Sequence, residues 1–211
     1  MHRSAIDSNS PRSTSYEVAR SSSRATREPR YPVIATENLR LRGFGLADIS
    51  PLVAIANDHH VADTALDLQC PFTAKYAEQW IRSHPAAWDL RDSVHWAVSV
   101  LADDRVIGYT CLHNIDGEER QAELTFWIGP GMERARHATE AAQAALAFAF
   151  TKLQVDRVCA FHLTRNLLAT RVLTRIGMRQ EGPLDQRVYG SDQYENVIVR
   201  GISRSGWLDS L

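Results

Sequence analysis

Residues 123–153 place the strongest constraint on the fold, because they read as a strand, a turn and a helix in direct succession. An apolar run that ends in FWI at 126–128 favours a β-strand, and it stops at Gly129-Pro130-Gly131. Apolar residues then recur at helical spacing over 142–153, which predicts an amphipathic helix. The chain is therefore expected to contain a sheet with this helix lying against it.

Residues 133–139 fall where this helix would begin. The first backbone N–H groups of a helix lack intrahelical partners and the helix dipole is positive there, so an anion is stabilised at that end. One hypothesis is a phosphate-bearing cofactor bound at residues 133–139. The alternative is an ordinary strand, loop and helix of an α/β domain that binds nothing at this point.

Charge and cysteine content narrow the class of protein. The 24 basic and 25 acidic residues nearly cancel, so the net charge gives no support for a nucleic-acid or anionic-membrane partner. No apolar run approaches the ~20 residues that span a bilayer, and the N-terminal segment lacks the apolar part of a secretory signal. Cys70, Cys111 and Cys159 are odd in number and widely spaced, which is typical of reduced core thiols. We expect a soluble, cytoplasmic protein.

The first 30 residues differ in composition from the rest. They hold eight serines and six arginines against three acidic residues, with few large apolar side chains, which predicts a disordered tail. An Arg/Ser-rich, acid-poor segment also resembles an organellar transit peptide. Its net charge of +3 would allow weak contacts with polyanions such as RNA.

The remaining pattern predicts a mixed α/β domain. Strands are expected at 33–41, 95–102, 106–115, 121–128, 157–163, 178–189 and 195–202, and helices at 47–56, 74–83, in the central segment and at 166–176. The three strands between 95 and 128 suggest an antiparallel meander. Strands 121–128 and 157–163 are joined by the central helix and should be parallel neighbours. Gly177 is the predicted stop of the last helix, and Gly190-Ser191-Asp192 is the predicted turn of a terminal hairpin.

Several motifs together resemble the GNAT superfamily of N-acetyltransferases, and in particular its RimJ/RimL-like branch. They are VIGYTCLHNID, AELTFWIG, ATEAAQAALAFAF, the run NLLATRVLTRIGM at 166–178 and the closing EGPLDQRVYGSDQYENVIV. The resemblance covers residues 35–207. It implies one domain with a central, mostly antiparallel sheet, splayed parallel strands and flanking helices.

The resemblance implies acetyl-CoA as cosubstrate and no metal. The acceptor would be a primary amine, either a protein N-terminal amine or a small molecule, which attacks the acetyl group directly. The strand end would pair with the pantetheine arm, the helix start would hold the pyrophosphate, and an asparagine would lie near the thioester. The implied cofactor-binding residues are Phe126, Trp127, Ile128, Arg134, Ala135, Arg136, His137, Ala138, Thr139 and Asn166.

The chain departs from the family pattern at its pyrophosphate signature. The family reads R/Q-x-x-G-x-G/A where residues 133–138 read ERARHA, so Arg136 replaces the central glycine. A Cβ there obstructs close approach of the backbone to a phosphate, and a positive φ would strain an arginine. Two guanidinium groups, however, supply charge-assisted hydrogen bonds of ~1.5–3 kcal/mol each. The net effect on cofactor affinity stays open at this point.

Two further departures concern catalysis. Ala169 stands where related enzymes often carry a serine, and Val188 where some carry a glutamate proposed as general base. Glu123 is the remaining candidate base, acting through water, and the alternative is a solvated carboxylate at a strand end. These departures also allow a second function: a catalytically degenerate member that binds CoA or a protein partner without turnover. A homodimer is left open.

Other residues are less informative. His59-His60 have no ligand spacing and are interpreted as exposed. His113 and His162 lie in apolar strands, where core or cleft-lining roles are expected rather than catalysis. Trp80, Trp88 and Trp96 fit either an acceptor cleft or the core, and the core is favoured.

Overall fold

The structure is a computed structural model that describes residues 31–66, 68–131, 134–187 and 194–210. The predicted tail at 1–30, Glu133, Val188 and the predicted turn at Gly190-Ser191-Asp192 lie outside these residues. The elements are β1 (Ile34–Ala35), β2 (Leu39–Arg42), a 3-10 turn (Leu46–Asp48), α1 (Ile49–Ala56), α2 (His59–Ala62), α3 (Ala74–Asp89), β3 (Val94–Val100), β4 (Val106–Asp116), β5 (Gln121–Ile128), α4 (Arg134–Phe148) with a π-helical end (Ala149–Leu153), β6 (Arg157–Leu163), α5 (Leu167–Arg175), β7 (Arg179–Arg187), β8 (Tyr194–Ser203) and α6 (Arg204–Leu208).

The strands form one mixed sheet in the order β1-β2-β3-β4-β5-β6-β8-β7. The pair β5–β6 is parallel, and every other neighbouring pair among the described strands is antiparallel. The predicted α/β class, the meander β3–β4–β5 and the parallel pair joined by a helix are confirmed. Gly177 has a φ of +86° just after α5, so the predicted helix stop is confirmed as well.

The first predicted strand is wrong, because residues 33–41 form a tight hairpin instead. Ile34 pairs with Leu41, and the turn closes with a 2.9 Å hydrogen bond from Thr36 N to Leu39 O. Glu140 of α4 holds this turn: it accepts hydrogen bonds from Thr36 Oγ1 at 2.6 Å and from the backbone N–H of Asn38 at 2.8 Å. The local alternation of apolar and polar residues cannot reveal a hydrogen-bond partner that lies about 100 residues away in the sequence.

Helix boundaries differ from the prediction in two places. Helix α3 runs through Pro85 to Asp89 rather than ending near 83, because buried His84 and Trp88 anchor its second half in the core. The short helices α2 and α6 were not predicted, since four or five residues are too few to show a helical period.

The core lies on both faces of the sheet. Leu112 of β4 belongs to the cluster that α4 and α5 cover, whereas Tyr109 and Cys111 belong to the cluster that α1, α2 and α3 cover.

The expectation of three core thiols is wrong for Cys70, which is exposed in the loop before α3, while Cys111 is buried. Trp88 and Trp96 are core residues, as favoured.

Two histidines lie side by side within the second cluster. The rings of His84 and His95 are stacked at 4.2 Å, and Trp80 contacts His84 edge-on at 4.3 Å. Among the described residues, neither ring nitrogen of His84 has a hydrogen-bond partner. Burial lowers the pKa of His84 to about 2 and that of His95 to about 4, so both rings are neutral at physiological pH.

These histidines predict a loss of stability under mild acid. Because their pKa values in the fold lie below the unfolded value of about 6.5, the unfolded chain binds more protons, and the free energy of unfolding falls as pH decreases from about 6.5 toward 4. The slope is at most ~1.4 kcal/mol per pH unit for each histidine. His84→Phe should stabilise the protein and flatten this slope in urea unfolding at pH 7.5, 6 and 5. His59→Phe, at an exposed position, is the control, and an unchanged slope in His84→Phe would contradict the assignment.

Candidate active site

The parallel pair β5–β6 separates halfway along its length. It pairs Gln121 with Arg157, Ala122 with Val158 and Glu123 with Cys159, and the ladder ends there. From residue 124 to 128, the β6-facing edge of β5 has no strand partner within the described part of the chain. An open edge of this kind can hydrogen-bond an added extended chain.

Each strand is held away from the other by a different neighbour. Strand β5 stays paired with β4 as far as Ile128, and Gly129 N donates to Ile107 O at 2.8 Å. Strand β6 stays paired with β8 as far as Leu163. Gly108 allows the close approach on the β4 side, because a Cβ there would lie 2.4 Å from Trp127 O. The separation is therefore fixed by the sheet itself.

A cleft fills the space between the separated strands. Its volume is about 110 Å³, and its walls come from β4, β5, β6, the loop after α2 and the start of α5. Phe126 and Trp127 line one side, and Asn166 and Ala169 line the other. The structure thus brings Phe126 and Trp127 together with the predicted asparagine, whereas the side chain of Ile128 is buried in the core.

Asn166 is the N-cap of α5. Its Oδ1 accepts a hydrogen bond from Ala169 N at 3.0 Å, which fixes the side chain at the cleft wall. Its Nδ2 donates to no other described residue. The amide N–H₂ group is the part of Asn166 that can donate to a molecule in the cleft.

The first turn of α4 lies just beyond the end of β5. Since α4 begins at Arg134, the backbone N–H groups of residues 134–136 lie in the first turn, ahead of the first residue that donates an intrahelical hydrogen bond. Ala138 and Thr139 are buried against the core, and the hydroxyl of Thr139 donates to Ala135 O at 2.7 Å. The predicted pyrophosphate residues therefore divide into an open turn, 134–137, and two residues that anchor it.

Arg136 occupies the signature glycine position without backbone strain. It lies inside α4 and is not among the described residues with positive φ. Its exposed guanidinium donates from Nη2 to Asn38 Oδ1 at 2.8 Å. The strain that a glycine would relieve at this position is absent.

Alternate residues of β4 and β5 form a stripe of facing pairs on the side of the sheet that α1–α3 cover. Tyr109 pairs with Trp127, Cys111 with Thr125 and His113 with Glu123. The last pair lies at the cleft, and both of its side chains line it. The stripe therefore leads from the aromatic core to the cleft.

Glu123 and His113 are held by several polar contacts. The register of β4 shifts after His113, and Asn114 has a φ of +48°, which directs its Nδ2 to Glu123 Oε1 at 3.0 Å. Glu123 Oε2 lies 3.8 Å from His113 Nδ1, and His113 Nε2 lies 2.9 Å from Thr125 Oγ1. His113 was expected only to line the core or a cleft. The feature that identifies His113 as a site residue is its position opposite Glu123 in the register of β4 and β5.

Two other titratable groups near the cleft have structural roles. Burial, with the charge of Glu123, raises the pKa of Cys159 to about 11, so its thiol stays protonated. His162 Nδ1 lies 3.0 Å from Leu163 O, and its Nε2 accepts from Arg200 Nε at 3.2 Å. Burial lowers the pKa of His162, so the ring is a neutral, hydrogen-bonded part of the wall.

A family model described as the Acetyltransferase (GNAT) domain matches residues 38–179, which include the separated strands, α4 and Asn166. The chain belongs to the GNAT family of acetyltransferases. The family resemblance predicted from the sequence is thus confirmed, and the chain is a member of a family of N-acetyltransferase enzymes.

Curated relatives come from Bacillus subtilis (strain 168). YnaD, an uncharacterized N-acetyltransferase, is 26% identical over 174 residues, which cover 82% of this chain and 98% of YnaD. YdaF, presumed to be a ribosomal N-acetyltransferase, is 27% identical over 108 residues, which cover 51% of this chain and 59% of YdaF. The match to YdaF therefore spans less than two thirds of that relative.

Solved structures share the fold. RimJ from Mycobacterium smegmatis, in complex with CoA-disulfide, superimposes with a TM-score of 0.68 at 20% identity, covering 82% of this chain and 88% of RimJ. Spermidine N-acetyltransferase from Vibrio cholerae, in complex with CoA and spermine, gives a TM-score of 0.70 at 20% identity, covering 82% and 99%. The solved structures that share this fold thus include RimJ, one of the proteins after which the predicted branch is named.

Neither a bilayer-spanning helix nor a metal-binding cluster occurs among the described residues. No helix among them is long and apolar enough to cross a bilayer. The same residues contain no group of three or more His, Cys, Asp or Glu side chains that would hold a metal ion.

The capping oxygen of Asn166 and its Nδ2 donor can be tested separately by substitution. Asn166→Ala removes the cap acceptor and should lower the free energy of unfolding by ~1 kcal/mol. Asn166→Asp keeps an acceptor for Ala169 N but loses the Nδ2 donor, so stability should be retained while CoA binding weakens. Chemical denaturation and calorimetric titration with CoA provide the two measurements. If Asn166→Ala and Asn166→Asp lowered the free energy of unfolding equally, the capping hydrogen bond to Ala169 N would not be the cause of the loss.

Proposed function

We propose that this protein transfers the acetyl group of acetyl-CoA to a primary amine by direct attack. The observation that carries the proposal is the cleft itself, where the open edge of β5, the amide of Asn166 and the Glu123–His113 pair meet. The fold neighbours with bound CoA support the choice of cosubstrate.

The cosubstrate would lie across the end of β5 and the start of α4. The backbone edge at Phe126, Trp127 and Ile128 would hydrogen-bond the amides of the pantetheine arm as an added strand does. The N–H groups of residues 134–136 and the guanidinium of Arg136 would hold the pyrophosphate. Ala138 and Thr139 would keep this turn fixed against the core.

The reaction needs a base for the amine. The lone pair of the neutral amine forms the new C–N bond, the C–S bond of the thioester breaks with its electrons on sulfur, and the amine nitrogen loses a proton. Glu123 would accept this proton, with His113 next to it as a second titratable group that lines the cleft. Asn114 keeps the carboxylate in position.

The leaving thiolate would take its proton from water. Ala169 carries no hydroxyl, and the hydroxyl of Thr170 donates to Asn166 O at 3.1 Å within the first turn of α5. The missing serine therefore leaves this step to solvent.

Replacing the proposed base should affect turnover more than binding. Glu123→Gln keeps the size of the side chain and an acceptor for Asn114, and we expect kcat to fall by about 10²-fold or more. The KM for acetyl-CoA should change little, because the carboxylate is not proposed to contact the cosubstrate. Steady-state release of free thiol measures both values. Glu118→Gln, in the exposed turn between β4 and β5, is the matched control; a kcat for Glu123→Gln like that of the control would contradict the role.

Calorimetric titration with acetyl-CoA and with CoA tests the cosubstrate directly. We expect micromolar binding, with Arg136→Ala and Arg136→Gly both weakening it by about tenfold or more through loss of a charge-assisted hydrogen bond. Arg136→Lys should retain part of the affinity.

Other outcomes of this titration decide between the two functions. Tighter binding by Arg136→Gly would mean that the arginine obstructs the phosphate and would favour the degenerate, non-catalytic function. Absence of binding by the unmodified protein would reject the acetyltransferase proposal.

A further inference from the structure

An aromatic pocket lies beside the cleft on the face of the sheet that α1–α3 cover. Its volume is about 270 Å³. Five rings line it: Phe72, Tyr76, Trp80, Tyr109 and Trp127. Successive rings have centroids 5.1 to 6.0 Å apart, in edge-on or tilted pairs, so they form a continuous aromatic wall.

The aromatic pocket and the cleft share two wall residues, His113 and Trp127. The facing pairs of β4 and β5 connect them, with Tyr109 and Trp127 at the pocket end and His113 and Glu123 at the cleft end. A molecule whose bulk occupies the pocket therefore reaches the proposed base with its other end.

The described lining residues of the pocket carry little charge. His95 is held by two contacts, Nε2 to Ser93 Oγ at 2.9 Å and Nδ1 to the Tyr109 hydroxyl at 2.9 Å, and burial lowers its pKa to about 4, so it is neutral. Asp92, an exposed residue, is the one carboxylate among the described lining residues, which include no lysine or arginine. Aromatic faces and a carboxylate admit an approaching ammonium group.

We propose that the acceptor is a small arylalkylamine, whose ring lies in the aromatic pocket and whose primary amine reaches His113 and Glu123. This assignment rests on the proposed acetyltransferase function. A single ring system suits 270 Å³, since pockets for drug-sized ligands occupy ~300–1,000 Å³. A polyamine fits less well, because Asp92 is the one carboxylate besides Glu123 in the described lining of pocket and cleft, and it cannot compensate several further desolvated ammonium groups.

Acceptor kinetics with matched amines test the proposal. Phenethylamine and n-butylamine share a primary amine on an alkyl chain and differ in the ring, while spermidine carries additional cations. We expect a kcat/KM for phenethylamine about tenfold or more above that for n-butylamine and for spermidine. Tyr76→Leu should reduce the ratio of phenethylamine to n-butylamine several-fold while the KM for acetyl-CoA stays constant. Trp207→Leu, which alters an aromatic contact with Phe150 in the opposite cluster, should leave the ratio unchanged.

Calorimetric titration of the enzyme with each amine, without acetyl-CoA, separates this proposal from the proposed function. Binding of phenethylamine but not n-butylamine would support the pocket even if acetyl-CoA failed to bind. Binding of acetyl-CoA with equal kcat/KM for phenethylamine and n-butylamine, or with spermidine preferred, would overturn the arylalkylamine assignment and leave the acetyltransferase function intact. The comparison of amines uses the unmodified protein, so it does not depend on the folding of a variant.

Discussion

The site depends on a ladder of hydrogen bonds that stops early. After Glu123 and Cys159 the parallel strands β5 and β6 stay with their antiparallel neighbours rather than with each other. Backbone polar groups are costly to leave without partners, so an interruption inside a sheet persists only where the surrounding pairings fix it and something else can satisfy the exposed edge. Here the interruption supplies the cleft, and the same strand that loses its partner leads directly into α4.

A second constraint joins the β1–β2 turn to the central helix α4. Glu140 on α4 fastens the turn between β1 and β2, and Arg136 one turn earlier reaches Asn38 in that same turn. Hydrogen bonding to Thr36 and Asn38 lowers the pKa of Glu140 despite partial burial, which is consistent with a carboxylate that stays charged in this network. The sheet edge thereby fixes the position of the helix that follows the open end of β5.

Much of the fold was predictable because its signals are local. Short apolar runs predicted β5 and β6, helical periodicity predicted α5, and Gly177 marked the end of α5 correctly. The hairpin at residues 34–42 could not be predicted, since its turn is held by Glu140 far along the chain. The predicted helix at 74–83 missed the second half of α3, which continues through Pro85 and buries Trp88.

The candidate site was predictable only in part, for a similar reason. Asn166, Glu123 and the end of β5 belong to recognisable motifs, and the structure brings them to one cleft. His113 is visible only through strand register, and the aromatic pocket joins residues from α3, β4 and β5 with the loop before α3, which no single stretch of sequence displays.

The helical backbone at Arg136 has a consequence for how such sequences are recognised. A glycine in a sequence signature stands for a conformation or for close approach, and here the first of these requirements is absent because residue 136 has an ordinary helical geometry. A search pattern that demands glycine would discard this chain as a decayed copy. Relatives could instead be grouped by the backbone conformation at this position rather than by the presence of glycine. This chain would then stay among the candidates for activity.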